Sequence, residues 1–196
     1  RLSPGEAVVE VGPGLGSLTL GLLEAGHPVT AFEIDPRLAE RLPLTAKEHG
    51  VTDGSLTVVC EDALGVTSLP TGTGGEAPTA LVANLPYNVS VPVLIHLLET
   101  FPNIGRVLVM VQSEVGQRLA AKPGSKVYGV PSVKVAWWGN WSLEGTVSRK
   151  IFWPEPNVDS VLVGMTAHDP SAKIPGTDAV IGDEPLRRKV FALVDA

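Results

Sequence analysis

Short apolar runs alternate with segments of helical period along the first 120 residues, and this alternation restricts the fold more than any other feature of the chain. It is the pattern of an α/β protein, a mostly parallel sheet wrapped by helices. Strands are expected at residues 7–11, 29–34, 56–60, 80–84 and 106–112, each short and rich in Val, Leu or Ala, as strands buried on both faces tend to be. Helices are expected at 17–25, 36–49, 91–100 and 113–121, with Gly26 as a C-terminal cap and Pro36 in a first turn. After Lys122 the pattern changes. Residues 133–137, 143–147 and 161–166 read as antiparallel strands joined by loops, so the sheet should end in a hairpin. The Gly/Pro/Thr-rich stretch 65–79 reads as a long loop.

The domain reading is a main domain over 1–167, a linker over 168–183 and a helix over 184–196. That helix carries Leu186, Val190, Leu193 and Val194 on one face and, taken alone, has nothing to bury them against. The expectation is therefore that the sequence is cut short within a helical C-terminal domain, and the absence of a Met at Arg1 points the same way.

Composition excludes several classes. The chain has 196 residues, 44% of them hydrophobic and 18% charged, which is neither disordered nor fibrous. Cys60 is the single cysteine, so no internal disulfide forms and a cytoplasmic setting is favoured. No run of 18 or more residues is continuously apolar and no signal pattern opens the chain, so no membrane role is expected. The net charge of −6 argues at first against a nucleic-acid partner. It is unevenly spread: residues 1–100 carry 4 basic and 12 acidic side chains (−8), whereas residues 101–150 carry 7 basic and 2 acidic (+5).

The first strand runs into Gly12-Pro13-Gly14-Leu15-Gly16-Ser17 and then a helix. Glycines let the backbone turn sharply and bring a ligand close to bare amides at a helix start. A dinucleotide fingerprint G-x-G-x-x-G would need glycine at position 17, which is Ser17. What stands here is E-x-G-x-G-x-G from Glu10 to Gly16, and an acidic residue just before the loop suits a ligand with a positive centre. Glu33 ends the second strand, placed to accept both hydroxyls of a ribose; Asp62 ends the third, placed to receive an exocyclic amine such as that of adenine. Taken singly, Asp62 fits a turn cap as well, and Glu33 a solvated strand end. Together, a ribose, an adenine and a positive centre describe S-adenosylmethionine better than NAD.

The fourth strand ends in Asn84-Leu85-Pro86-Tyr87, similar to the N-x-P-Y form of the motif of methyltransferases acting on an exocyclic amine. An adenine N6 lone pair is delocalised into the ring, so an enzyme must localise and aim it. The Asn84 side-chain oxygen and the Leu85 carbonyl can accept the two N6 hydrogens. Pro86 fixes the backbone without a competing N–H, and Tyr87 can stack on the base for roughly 1–3 kcal/mol. His27, His49, His96 and His168 lack metal-ligand spacing, so no metal is expected. Pro123-Gly124-Ser125-Lys126 lacks the full phosphate-loop pattern.

With these residues in place the chain resembles the ribosomal RNA adenine N6-dimethyltransferase family, specifically its KsgA/RsmA type. The resemblance runs from residue 7 to about 165. It is carried by residues 10–17, Phe32-Glu33-Ile34-Asp35, Glu61-Asp62-Ala63, Asn84-Leu85-Pro86-Tyr87-Asn88, Val111-Gln112-Ser113-Glu114-Val115 and Arg118-Leu119-Ala120-Ala121. The most specific parts are Pro123-Gly124-Ser125-Lys126-Val127-Tyr128-Gly129 and Phe152-Trp153-Pro154-Glu155-Pro156-Asn157-Val158-Asp159-Ser160. They separate this type from related large-subunit ribosomal RNA methyltransferases.

The resemblance implies a Rossmann-like class I S-adenosylmethionine-dependent methyltransferase fold, with a mostly parallel seven-stranded sheet ending in an antiparallel hairpin. It implies dimethylation of N6 on two adjacent adenosines in the 3′-terminal stem-loop of small-subunit (16S) rRNA, on the immature small subunit, by a monomer. It places Glu10, Gly12, Gly14, Gly16, Glu33, Ile34, Asp62, Ala63 and Asn84 at the cofactor. Asn84, Leu85, Pro86 and Tyr87 hold the target base, and Phe152 stacks on its other side. Arg118, Lys122, Lys126, Lys134, Arg149 and Lys150 become candidate phosphate contacts. Trp137, Trp138 and Trp141 are read as packing residues. The family's N-terminal arm with its Q-N-F-L-type motif is not seen before Arg1, and Pro131 stands where the family often has a bulkier side chain. Two other readings are a non-catalytic RNA-binding or assembly factor on the same fold, and a large-subunit rRNA adenine N6-methyltransferase.

Overall fold

The computed structural model describes residues 1–70 and 77–196; of the loop expected over 65–79, positions 71–76 lie outside the described residues. In chain order the elements are β1 (Val8–Val11), α1 (Ser17–Glu24), β2 (Val29–Glu33), α2 (Pro36–Glu48), β3 (Leu56–Cys60), β4 (Ala80–Asn84), α3 (Ser90–Thr100) and β5 (Arg106–Gln112). They continue with α4 (Ser113–Leu119), α5 (Val130–Ala136), β6 (Gly139–Val147), a 3-10 turn at Arg149–Ile151, β7 (Ser160–Ala167) and α6 (Glu184–Val194). The strand order is β3-β2-β1-β4-β5-β7-β6. The first five strands pair in parallel and β6 and β7 pair antiparallel. The expected mostly parallel seven-stranded sheet ending in a hairpin is therefore present. The chain divides into two compact units, Arg1–Val111 and Gln112–Ala196.

In the first unit every residue of β1 and β2 is buried, and β4 is buried up to Asn84. Val8, Leu22, Val29, Ala31, Leu42, Ala80 and Val82 form one cluster, in which strand side chains meet α1 and α2. Burying each of the larger of these stabilises the unit by about 1.5–3 kcal/mol before entropy is counted. The helix boundaries follow local chemistry. Asp35 caps α2 by accepting from the Arg37 amide at 2.9 Å, and Pro36 follows at a position where its missing N–H costs nothing. Helix α1 ends at Ala25 with Gly26 at φ 86°, the left-handed cap that glycine adopts without strain. The N-terminal segment is tied to β5 by the Arg106 guanidinium, which reaches the Arg1 carbonyl (3.2 Å), Ser3 Oγ (3.1 Å) and the Glu6 carboxylate (2.5 Å).

In the second unit the structure corrects two expectations. Residues 133–137 are not a strand: α5 covers Val130–Ala136 and Trp137 caps it. The alternation of Val133, Val135 and Trp137 has strand period. Pro131 in the first turn pre-sets helical φ, and Ser132 Oγ accepts from the Gly129 amide (3.1 Å) while donating to the Arg118 carbonyl (2.6 Å). Trp141 Nε1 then donates to the Val135 carbonyl at 2.7 Å, a second donor beside the Trp138 amide at 3.1 Å.

The second correction concerns α6, which does find a surface within its unit. Phe191, 8% exposed, packs edge-to-face on Trp137 (6.3 Å between centroids) and Trp138 (5.4 Å), while Leu193 is 79% exposed. Phe191 is the buried residue of α6 and Leu186, Arg187, Val190 and Val194 are partly buried around it, so of the four expected face residues only Leu193 lies outside the stripe. Arg187 lies over the Trp138 ring at 5.7 Å, and Lys134 pairs with Asp195 at 2.7 Å. Phe191→Ala is expected to lower stability by about 3 kcal/mol, the lower end for a large-to-small change at an aromatic cluster, read by urea denaturation. A loss below about 1 kcal/mol would show that α6 is only loosely held.

Candidate active site

The strand order reverses between β1 and β4: β2 and β3 extend the sheet on one side of β1, and β4 and β5 on the other. Loops leaving the carboxyl ends of β1 and β4 consequently diverge and open a crevice. A Cβ built on Gly12 would stand 3.8 Å from Pro86 Cγ, so the glycine loop after β1 meets the Asn84-Leu85-Pro86-Tyr87 turn after β4. Gly12, Gly14 and Gly16 all have positive φ (65°, 58° and 94°), which no side chain adopts cheaply.

The carboxylates sit around this loop in three different environments. Glu33, 5% exposed, accepts from the Gly14 amide through Oε2 (3.1 Å) and from the Asp35 amide through Oε1 (3.0 Å). Each carboxylate oxygen retains a second lone pair for a hydroxyl donor. Asp62 is exposed and accepts from the Leu64 amide at 2.9 Å, with Ala63 buried behind it. The local cap at Asp62 uses one of its two oxygens. Ile34 and Leu15, 67% and 70% exposed, put apolar surface beside Glu33 and within the glycine loop.

Glu10 lies beneath the loop at 1% exposure and accepts from Thr19 Oγ1 at 2.6 Å. Thr19 went unnoticed in the sequence. Its only signal there is its place three residues before Leu22, the two being the buried positions of α1. Burial pushes the Glu10 carboxyl up to about 7; the Thr19 hydroxyl opposes this and the neighbouring Glu33 charge adds to it. A carboxyl raised on folding gives stability that is complete below about pH 4.5 and is lost as pH rises through about 7. The loss amounts to roughly 3 kcal/mol. Glu10→Gln removes the titration, so its stability should lack this fall between pH 5 and pH 8, read by thermal denaturation at both. An unchanged pH slope in the variant would show that Glu10 is ionised throughout.

At the other side of the crevice Asn84 is the exposed last residue of β4 and Leu85, 1% exposed, anchors the turn. The Leu85 amide donates to the Met110 carbonyl at 3.1 Å, so Leu85 uses its amide and not its carbonyl in holding the sheet. The Val89 amide closes the turn onto the Pro86 carbonyl (3.3 Å), Ser90 Oγ donates to the Tyr87 carbonyl (3.3 Å), and α3 begins. Tyr87 is half-buried. Thus Glu10, Gly12, Gly14, Gly16, Glu33, Asn84, Pro86 and Tyr87 belong to neighbouring strand ends of one unit.

Phe152 lies in the second unit, half-buried, its amide donating to the Arg149 carbonyl at 3.2 Å. Of the six candidate phosphate contacts, three are engaged inside that unit: Arg118 with Glu114 (2.7 Å), Lys134 with Asp195 (2.7 Å) and Arg149 with Glu155 (3.0 Å). Lys122, Lys126 and Lys150 are exposed and form no ion pair among the described residues. No group of three or more metal-ligating side chains, and no helix long and apolar enough to cross a membrane, occurs among the described residues.

Comparison with known proteins gives this arrangement a lineage. The ribosomal RNA small subunit methyltransferase A of Leifsonia xyli is 64% identical over 193 residues, covering 98% of this chain and 64% of that protein. The chain therefore spans a little under two thirds of the length of such relatives. Among solved structures, a dimethyladenosine transferase from Plasmodium falciparum matches 85% of the chain and 57% of its own, with TM-score 0.72 and 27% identity. The 23S rRNA methyltransferase ErmE matches 100% and 71%, with TM-score 0.73 and 26% identity. The sheet and its reversal point are those of the Rossmann-like methyltransferase fold. Residues 1–179 match the model of the ribosomal RNA adenine dimethylase family, and it is to this family that the chain belongs.

Proposed function

We propose that this protein transfers methyl groups from S-adenosylmethionine to N6 of two adjacent adenosines in the 3′-terminal stem-loop of small-subunit rRNA, giving N6,N6-dimethyladenosine. It would act as a monomer on the immature small subunit in the cytoplasm. In this reading residues 1–167 are the catalytic domain, 168–183 a linker and 184–196 a helical segment. The observation that carries it is the Asn84-Leu85-Pro86-Tyr87 turn at the end of β4, set against the Gly12 loop at the strand-order reversal.

The residues present fit the cofactor. Gly12 and Gly14 in left-handed backbone leave room that a Cβ would fill, Glu33 can take ribose hydroxyls, Asp62 an adenine amine, and Glu10, whose carboxyl burial raises to about 7, would be ionised by a nearby cation. When bound, S-adenosylmethionine supplies a methyl group already activated by its sulfonium. The chain's own residues then have to hold and aim the acceptor nitrogen. The Asn84 side-chain oxygen and the Leu85 carbonyl accept the N6 hydrogens and draw the nitrogen toward tetrahedral geometry. Pro86 stiffens the turn, Tyr87 stacks on the base, and Phe152 is assigned the second stacking role.

Incubation with radiolabelled S-adenosylmethionine and undermethylated small subunits should label the two adenosines. Label in large-subunit RNA would replace this reading with the 23S alternative. Subunit binding without cofactor binding by calorimetry would replace it with a non-catalytic assembly role.

A further inference from the structure

The chain has four tryptophans, and three of them are used by its own fold. Trp141 is 4% exposed and hydrogen-bonded, and Trp137 and Trp138 pack on Phe191. Trp153 is 97% exposed. A ring that offers 150–250 Å² of contact area and buries almost none of it has no packing reason for its place.

The segment bearing it is braced at its base. The Arg149 amide donates to Asp159 Oδ1 (3.1 Å), and its guanidinium donates to the Asn157 carbonyl (3.2 Å) and pairs with Glu155 (3.0 Å). The Ser113 amide donates to the Asp159 carbonyl at 3.0 Å, and Ser148 Oγ caps the Lys150 amide at 3.3 Å. Arg149 thus serves as an internal strut, and it neutralises Glu155, the acidic side chain nearest the tip in sequence. What remains at the tip is Trp153, Ile151 at 71% exposure, and Lys150 with no ion-pair partner among the described residues. Phe152 has extended backbone (φ −98°, ψ 149°), so successive side chains point to opposite sides. Phe152 is half-buried and Trp153 open, as that alternation requires. The two rings therefore cannot clasp one base.

We infer that Trp153, with the exposed Lys150 three residues before it, is a stacking platform for an unpaired RNA base other than the one assigned to Phe152. A ring with an uncompensated cation on a braced loop, in a unit whose residues 112–150 are strongly basic, complements a base face joined to a phosphate. The RNA class rests on the proposed function; the second stacking contact goes beyond it.

The test is fluorescence anisotropy of a labelled single-stranded oligoadenylate, and of a duplex RNA of equal length, with the parent protein and its Trp153→Ala, Trp153→Phe and Trp153→Leu variants. An exposed position leaves the fold intact, checked by an unchanged melting temperature. Trp153→Ala should weaken oligoadenylate binding roughly 5- to 150-fold, Trp153→Phe should keep most of it, Trp153→Leu should resemble Ala, and duplex binding should not move. Parent-like binding by Trp153→Ala, no oligoadenylate binding by the parent, or full rescue by Leu, which would mark an apolar contact suited to a protein partner, each overturns the inference. Methyl transfer is measured in parallel. A parent that binds with this variant pattern but labels no adenosine sinks the proposed function and leaves the platform standing; a parent that labels small subunits while Trp153→Ala binds as it does sinks the platform alone.

Discussion

Asn84→Ala should reduce kcat/KM for methyl transfer by about 10²–10³-fold, by analogy with removal of a preorganised hydrogen-bonding group from an active site. Asn84 is exposed at the end of a buried strand, and the turn is held without its side chain by the Leu85 amide on Met110 and the buried Leu85 side chain. The fold should therefore survive, and the loss should fall on kcat: the acceptor nitrogen is still bound by stacking but no longer has its hydrogens held. Asn84→Asp keeps an acceptor oxygen and should recover part of the rate. If Asn84→Ala keeps full kcat, the carbonyl of Leu85 or another group does the aiming and the role given to Asn84 is wrong.

Gly16→Ala should cost about 3 kcal/mol of stability, measured by urea denaturation. Two effects add. Gly16 has φ 94°, where an L-residue pays about 1–2 kcal/mol. A Cβ there would lie 2.5 Å from Leu42 Cδ1, and Leu42 is fully buried in the core cluster, so it cannot swing aside without displacing its neighbours. Gly14→Ala shares the unfavourable φ but meets no atom within 4 Å, so it should cost only the conformational part, about 1–2 kcal/mol. Equal losses at the two positions would show that backbone strain alone decides. The third glycine of the loop is thus chiefly a packing residue between α1 and α2, whereas Gly12 faces Pro86 across the crevice.

The parallel strands and the glycine loop were legible in the sequence because burial on both faces forces continuous Val/Leu/Ala runs, and because only glycine fits three closely spaced left-handed positions. Residues 133–137 were not. Alternating Val133, Val135 and Trp137 satisfies a strand pattern as well as a helix, and the deciding contacts, Ser132 on the Arg118 carbonyl and Trp141 on the Val135 carbonyl, join residues 14 and 6 positions apart. The expected face of α6 is right at Leu186, Val190 and Val194 and wrong at one residue for the same reason. Periodicity offered Leu193, but Phe191 has the two tryptophans that follow α5 to pack on.

Among the site residues, Glu33 and Asn84 could be found as polar side chains closing apolar runs. The state of Glu10 could not. Its sequence position shows only an acid before a glycine loop; its burial, the Thr19 hydroxyl at 2.6 Å and the adjacent Glu33 are what raise its carboxyl to about 7. The basic segment divides in the same way: its charge is countable, but only the fold spends Arg118, Lys134 and Arg149 on internal partners and leaves Trp153 bare.

The sequence by itself determined the α/β order, the glycine loop and the chemistry-bearing strand ends, because backbone propensity and burial period are local properties. The tertiary structure alone decided which carboxyl is buried, which cations are free and which aromatic ring is left exposed. Those depend on desolvation and on partners brought together from distant parts of the chain.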